Sequence, residues 1–256
     1  MAVVTPTRLR WGALAWVLTL QFFVAEAIAE SRYAGGYSRA DDVISALGAA
    51  DSAARQLMNA SFVIQGALIL GGALLLRPAF RRGPAQVSSV LLGAAAVGTL
   101  LVGVFPLDGN ATMHAIGAAL YFVGGGLGLI ALAYAVRARS EVLGTVLALL
   151  GLAGTAATVF FLTGVTYYLG NGGTERVAAY VLPIGLTLTA GALLRLGRRP
   201  AGEAGPARGE QRELERAHRA EQARLRDDAL EAAAHRPAAQ PENQDDDPWA
   251  TPTRRD

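Results

Sequence analysis

The chain has 256 residues, 52% of them hydrophobic, and its 23 basic and 21 acidic side chains leave a formal charge of only +2. That excess gives no basic patch, so a nucleic-acid partner has no support. Cysteine is absent, which excludes disulfides, thiolate nucleophiles and thiolate metal sites.

Six apolar stretches are each about long enough to cross a bilayer, because a core of ~30 Å takes about 20 helical residues at ~1.5 Å each. The first runs from Trp11 to Ala29. Arg8 and Arg10 precede it and Ala27-Ile28-Ala29 matches a small-x-small cleavage site, so a signal peptide is the alternative reading. Its length and the charge of Glu26 favour an uncleaved helix.

The outer loop from Glu30 to Asn59 is the longest. Ser38-Arg39-Ala40-Asp41 fits a capping box, and Val43, Ile44 and Leu47 share a helical face, which predicts a short amphipathic helix over Tyr37 to Ala49 on the membrane surface. Asp51 reads as the cap of the second span, with Arg55 as its i,i+4 partner.

The remaining spans are Ala60 to Leu76, Ser88 to Phe105, Met113 to Val136, Val142 to Phe161 and Val177 to Leu196. Stretches such as Leu68 to Leu76 are apolar all round, which argues against a soluble helix. The alternating strands of a membrane barrel are missing. Small residues recur four apart at Ala67 and Gly71, Ala94 and Gly98, and Gly124 and Gly128, a spacing that packs helices within one bundle or between the two copies of a homodimer. Gly124-Gly125-Gly126-Leu127-Gly128 lies in mid-membrane without the strand-turn-helix context of a phosphate loop.

Ten arginines, at 8, 10, 77, 81, 82, 137, 139, 195, 198 and 199, fall on one side by simple alternation. The positive-inside rule makes that side cytoplasmic and puts both termini there. All 23 basic residues are arginine, amid abundant alanine and glycine, which suggests a high-GC coding bias and an actinobacterial plasma membrane. Residues 200–236 carry arginines and acids at helical spacing and predict a charged cytoplasmic helix, and 237–256, with Asp245-Asp246-Asp247 and four prolines, read as a disordered tail. The organisation is thus a six-span domain over 1–199 followed by these two segments.

Polar groups in and beside the spans are the functional hints, since a mid-bilayer charge costs roughly 2.5–3.5 kcal/mol on insertion scales. Glu26, Tyr37, Ser38, Asp41, Asp42, Ser45, Asn59, Asp108 and His114 all fall at the outer face and form the candidate polar site. Capping, tyrosine anchoring and loop solvation also account for each of them singly. One membrane histidine cannot supply the paired axial ligands of a bis-histidine haem, and it makes a weak zinc set. Ser45 and His114 could meet only through tertiary folding, and no nucleophile elbow is present. Neither a cofactor nor a metal is expected, and no residue is assigned a catalytic role.

Tyr37-Ser38, then Asp42-Val43-Ile44-Ser45-Ala46-Leu47-Gly48, Asn59, Gly66, Gly103-Val104-Phe105-Pro106-Leu107-Asp108 and His114 resemble the bacterial six-span family called domain of unknown function 998, over about residues 11 to 197. The chain is more distantly similar to eukaryotic membrane proteins linked to autophagy modulation and lipid-anchor remodelling. The resemblance implies a fold, a shared outer-face motif and a lean toward lipid handling. The expectation is an all-α, polytopic six-transmembrane-helix bundle whose favoured role is a non-catalytic lipid-binding or accessory protein, with membrane lipids as partners. A secondary transporter is the first alternative, and a lipid-modifying enzyme using His114 with Asp108 or Asp42 is the second.

Overall fold

The computed structural model describes residues 5–80, 82–197 and 208–234. They fall in two compact units that divide at Arg198/Arg199. In the first unit α1 (Pro6–Leu18) and α2 (Gln21–Glu30) make the first span, followed by a 3-10 helix (Ile44–Gly48), α3 (Arg55–Leu76), α4 (Arg82–Val104), α5 (Ala111–Val136), α6 (Glu141–Thr163) and α7 (Gly170–Gly197). Among the described residues there is no strand, only an antiparallel bridge between Tyr33 and Ser52. Six segments are long and apolar enough to cross a membrane, so the protein is a multi-pass membrane bundle.

Chain neighbours pack side by side from α3 to α7, α1 closes the ring by lying against both α3 and α7, and α5 reaches α7 across the middle. The closest seam is α4 against α5. A β-carbon on Gly98 would meet the Gly117 carbonyl oxygen at 2.5 Å and one on Gly117 would meet that of Gly98 at 2.8 Å, so bare backbones touch where lipid supplies no hydrophobic force. Gly124 and Gly128 are used in the same seam, whereas a β-carbon on Gly71 would meet nothing within 4 Å. Of the three small-residue pairs, Ala67 with Gly71 therefore faces away from the bundle.

Two irregularities have chemical causes. The first span is interrupted at Thr19–Leu20, where Leu20 N donates to the Val17 carbonyl (3.1 Å) and Phe23 N to that of Leu20 (3.2 Å), a tighter three-residue pattern. The Trp16 carbonyl takes the Thr19 amide (3.3 Å), the Thr19 hydroxyl and Thr187 Oγ1 (3.3 Å), so hydroxyls supplement the backbone bonds where the ladder tightens. Pro183 lies inside α7, not near its end, and cannot donate to the Ala179 carbonyl one turn back. The buried Tyr121 hydroxyl donates to that carbonyl instead, at 3.1 Å. Tyr121→Phe is expected to cost about 1–3 kcal/mol in detergent melts by orphaning it. In a Pro183→Ala background, which restores the amide, the same change should cost clearly less; equal costs in both backgrounds would refute the compensation.

The second unit contains α8 (Arg208–Ala234), whose described side chains, including Leu214, Leu225 and Leu230, are exposed. Glu215 and Arg219 make an i,i+4 pair at 3.8 Å. The tail expected over 237–256 lies outside the described residues.

Candidate functional site

The loop between α2 and α3 is pinched at its base, where Ala34 N donates to the Asp51 carbonyl (3.0 Å) and Ala53 N to that of Arg32 (3.2 Å). The capping-box residues make a turn in place of a helix start. Ser38 N donates to Asp42 Oδ2 at 2.8 Å and Ser38 Oγ to Asp41 Oδ2 at 2.7 Å, holding the chain in a short local loop. The short helix of this loop is accordingly the five-residue 3-10 segment Ile44–Gly48, with Ile44, Ser45, Leu47 and Gly48 buried in the mouth of the bundle. It plugs the ring where the sequence predicts a longer helix lying on the surface.

Asp51 does not cap the second span. The residue before α3 is Ala54, and Ser52 Oγ takes its amide at 3.2 Å. Asn59 Nδ2 holds the Gly48 carbonyl (2.9 Å), and Asp108 Oδ2 accepts from Ala50 N (3.0 Å). The candidate residues Ser38, Asp41, Asp42, Asn59 and Asp108 thus fix the loop's shape and seat it on the bundle.

The centre of that seating is Arg176. The sixth span begins at Gly170, seven residues earlier than its apolar pattern suggests, so Glu175 and Arg176 are buried on α7. Arg176 Nε donates to Glu26 Oε1 (3.0 Å), and Nη1 donates to the carbonyls of Arg39 (2.7 Å), Asp42 (2.9 Å) and Gly172 (3.1 Å). Nη2 reaches the Tyr37 hydroxyl. The Tyr37 phenol is in turn 3.0 Å from the Val43 carbonyl, and burial pushes its pKa above the ordinary value against the pull of Arg176, so it stays protonated and can donate.

Glu26 is 1% exposed and still fully partnered. The Tyr180 hydroxyl stands 2.7 and 2.6 Å from its two oxygens, and Arg39 Nη2 approaches Oε1 at 3.4 Å while also donating to Tyr180 (2.8 Å). With Glu30 also bound to Arg39 (3.1 Å), two acids, two guanidiniums and two phenols join the first span, the loop and the last span. A buried carboxylate is tolerable only with such a shell, since desolvation of each ion costs several kcal/mol.

Beneath the plug, on the axis between α2, α3, α4, α5 and α7, is a cavity of about 30 Å³. Phe22, Phe62 and Val102 make much of its wall; Ser45, His114 and Glu175 are among its polar groups. His114 Nδ1 lies 2.8 Å from the Phe105 carbonyl. A carbonyl only accepts, so Nδ1 carries a proton and donates it there. Glu175 accepts from Ile44 N. The candidate residues therefore divide: Ser45 and His114 share the cavity with Glu175, while Glu26 and Tyr37 belong to the arginine network. Among the described residues no group of His, Asp and Glu is gathered to hold a metal.

The apolar pattern that starts the sixth span at Val177 leaves Glu175 and Arg176 outside it. The usable signal was phase: Gly172, Arg176 and Tyr180 repeat every four residues and continue the helix outward. Below the cavity, Gln21 Nε2 donates to the Ser61 carbonyl (3.2 Å) and to Gln65 Oε1 (3.3 Å), and the fully buried Gln65 Nε2 has no partner among the described residues.

A family model described as protein of unknown function (DUF998) matches residues 13–206, well over half of the chain. No curated protein and no solved structure matches it. With six apolar helices arranged in one bundle across that same stretch, the chain belongs to the DUF998 family.

Proposed function

We propose that the protein is a non-catalytic lipid-binding or accessory protein of a bacterial plasma membrane, working at its outer face with both termini cytoplasmic. The observation that carries the reading is the axial cavity beneath the plug, with aromatic and aliphatic walls and Ser45, His114 and Glu175 as its polar groups. At about 30 Å³ it holds a group no larger than a water or two, so an amphiphile would insert only its tip or a small polar group and lie otherwise along the bundle. An enzyme that pairs His114 with Asp108 or Asp42 has less support, because those carboxylates hold Ala50 N and Ser38 N.

The orientation rests on the arginine alternation, and the actinobacterial source on the all-arginine, alanine-rich composition. The transporter reading keeps one specific observation in its favour: an interrupted first span beside the Gln21, Ser61 and Gln65 cluster, with an unpartnered amide there.

The experiment is native mass spectrometry of the full chain purified with its lipids. His114→Leu should reduce retained lipid severalfold while the melting temperature stays within a few degrees. Unchanged occupancy would reject the cavity as the seat. In a transporter, a single Gln21→Cys in this cysteine-free chain would react with aqueous maleimide from both sides of the membrane, whereas a static binder protects it.

A further inference from the structure

A second recess lies at the opposite, arginine-rich end of the bundle, where α5 turns into α6. It is a groove of about 190 Å³, far roomier than the axial cavity, and its walls include Tyr134, Arg137, Gly144, Thr145, Ala148 and Leu149. Its shape follows from Gly144. A β-carbon there would meet the Ala133 carbonyl oxygen and the Arg137 β-carbon, both at 3.1 Å, so the bare glycine brings α6 close to the last turn of α5 and leaves the side chains beyond it to frame an opening.

Three polar groups line this opening without a side-chain partner among the described residues. Among the described residues Arg137 makes no ion pair or hydrogen bond through its guanidinium, and the hydroxyls of Tyr134 and Thr145 have no hydrogen bond. Tyr134 is 59% exposed, and Leu149, one turn farther along α6 than Thr145, is 62% exposed. Glu141 at the start of α6 is not one of the groove's walls. A cation and two hydroxyls thus stand where the apolar span gives way to the polar boundary, and an apolar strip runs from them along α6 toward the bilayer centre. This is the two-part chemistry of a charged amphiphile: guanidinium and hydroxyls match a phosphate diester, and the strip matches a chain.

We propose that this groove seats an anionic glycerophospholipid, its phosphate held by Arg137 between the Tyr134 and Thr145 hydroxyls and one acyl chain laid over Ala148 and Leu149. Charge complementarity decides the occupant. A zwitterionic lipid offers the same phosphate but brings its own cation beside an arginine that has no anion among the described residues. A free phosphate would leave the apolar strip bare.

The test uses the full-length protein in detergent with short-chain phosphatidylglycerol, phosphatidylcholine of the same chain length, or inorganic phosphate, read by native mass spectrometry and thermal melting. The parent should retain phosphatidylglycerol in preference to phosphatidylcholine and should gain no stability from phosphate alone. Arg137→Gln should weaken phosphatidylglycerol retention about fivefold or more, as expected for one basic contact, with Arg137→Lys losing less. Ala148→Trp fills the groove without touching its charge and should lower retention of the same lipid. Because Arg137 is exposed, neither change at that position threatens the fold. Equal retention of the two lipids, protection by phosphate alone, or an unaltered preference in Arg137→Gln would each overturn the proposal.

Discussion

Arg176→Leu is expected to destabilise the bundle by about 3–5 kcal/mol and to free the loop between α2 and α3, which makes it the most damaging single change at that end of the bundle. The substitution removes the guanidinium that binds Glu26 Oε1 and three carbonyls at once, and it leaves Glu26 1% exposed with only Arg39 at 3.4 Å and the Tyr180 hydroxyl. Arg39 is half exposed, so its compensation is screened by solvent. Arg176→Lys keeps the charge but not the fork, and it should recover only part of the loss. The double change Glu26→Gln with Arg176→Leu should cost less than the sum of the two, because the second substitution removes the uncompensated acid. Melting in detergent gives the energies. A single Ser45→Cys gives the loop: buried in the parent, it should react slowly with a membrane-impermeant maleimide there and quickly in Arg176→Leu. Equal protection in both would show that the plug is held by something other than this arginine.

Gly172→Ala should also destabilise, by about 1–3 kcal/mol, although alanine is the better helix former by about 1 kcal/mol. The overlap wins because of what stands in the way. A β-carbon at Gly172 would run into the Asp42 carbonyl group and lie 2.9 Å from Arg176 Nη1, and a backbone carbonyl tied to Arg176 cannot swing aside as a side-chain tip could. Gly170, with φ +72°, is constrained twice, by its left-handed backbone and by the Ala40 carbonyl. Gly71→Ala is the matched comparison. It meets nothing within 4 Å and should be neutral or slightly stabilising. If Gly172→Ala melts with Gly71→Ala, the loop is not packed against α7 as tightly as the geometry requires.

The bundle was readable because the bilayer imposes length and apolarity on every span, and Ala111–Val136 or Glu141–Thr163 carry little else. The outer site was readable only in part. Asn59, Ser45 and His114 stand out as polar groups at span ends, but what each touches depends on elements far along the chain. The Asp42 carbonyl, an unremarkable backbone group, is one of the anchors of Arg176. Local rules misread the loop because Ser38 and Asp41 satisfy each other in a turn as readily as they start a helix. The break at Thr19–Leu20 has no Gly or Pro to mark it; hydroxyl donors gather at the Trp16 carbonyl there, and one of them, Thr187, is 171 residues away. Glu175 and Arg176 were hidden by their own charge, which closes an apolar window early even when the helix continues.

The pairing of Glu26 with Arg176 spans 150 residues, so the two ends of the bundle meet late. At a synthesis rate of about 5–20 residues per second, Glu26 is made roughly 8–30 s before its partner. For that interval the nascent protein carries Glu26 with only the half-exposed Arg39 as counter-ion, and four further helices must enter the membrane before the last one supplies Arg176. The partly matched carboxylate therefore distinguishes an unfinished chain from a finished one. A molecule truncated before α7 would keep it for life, and would present membrane quality control with a polar flaw that the complete protein has lost.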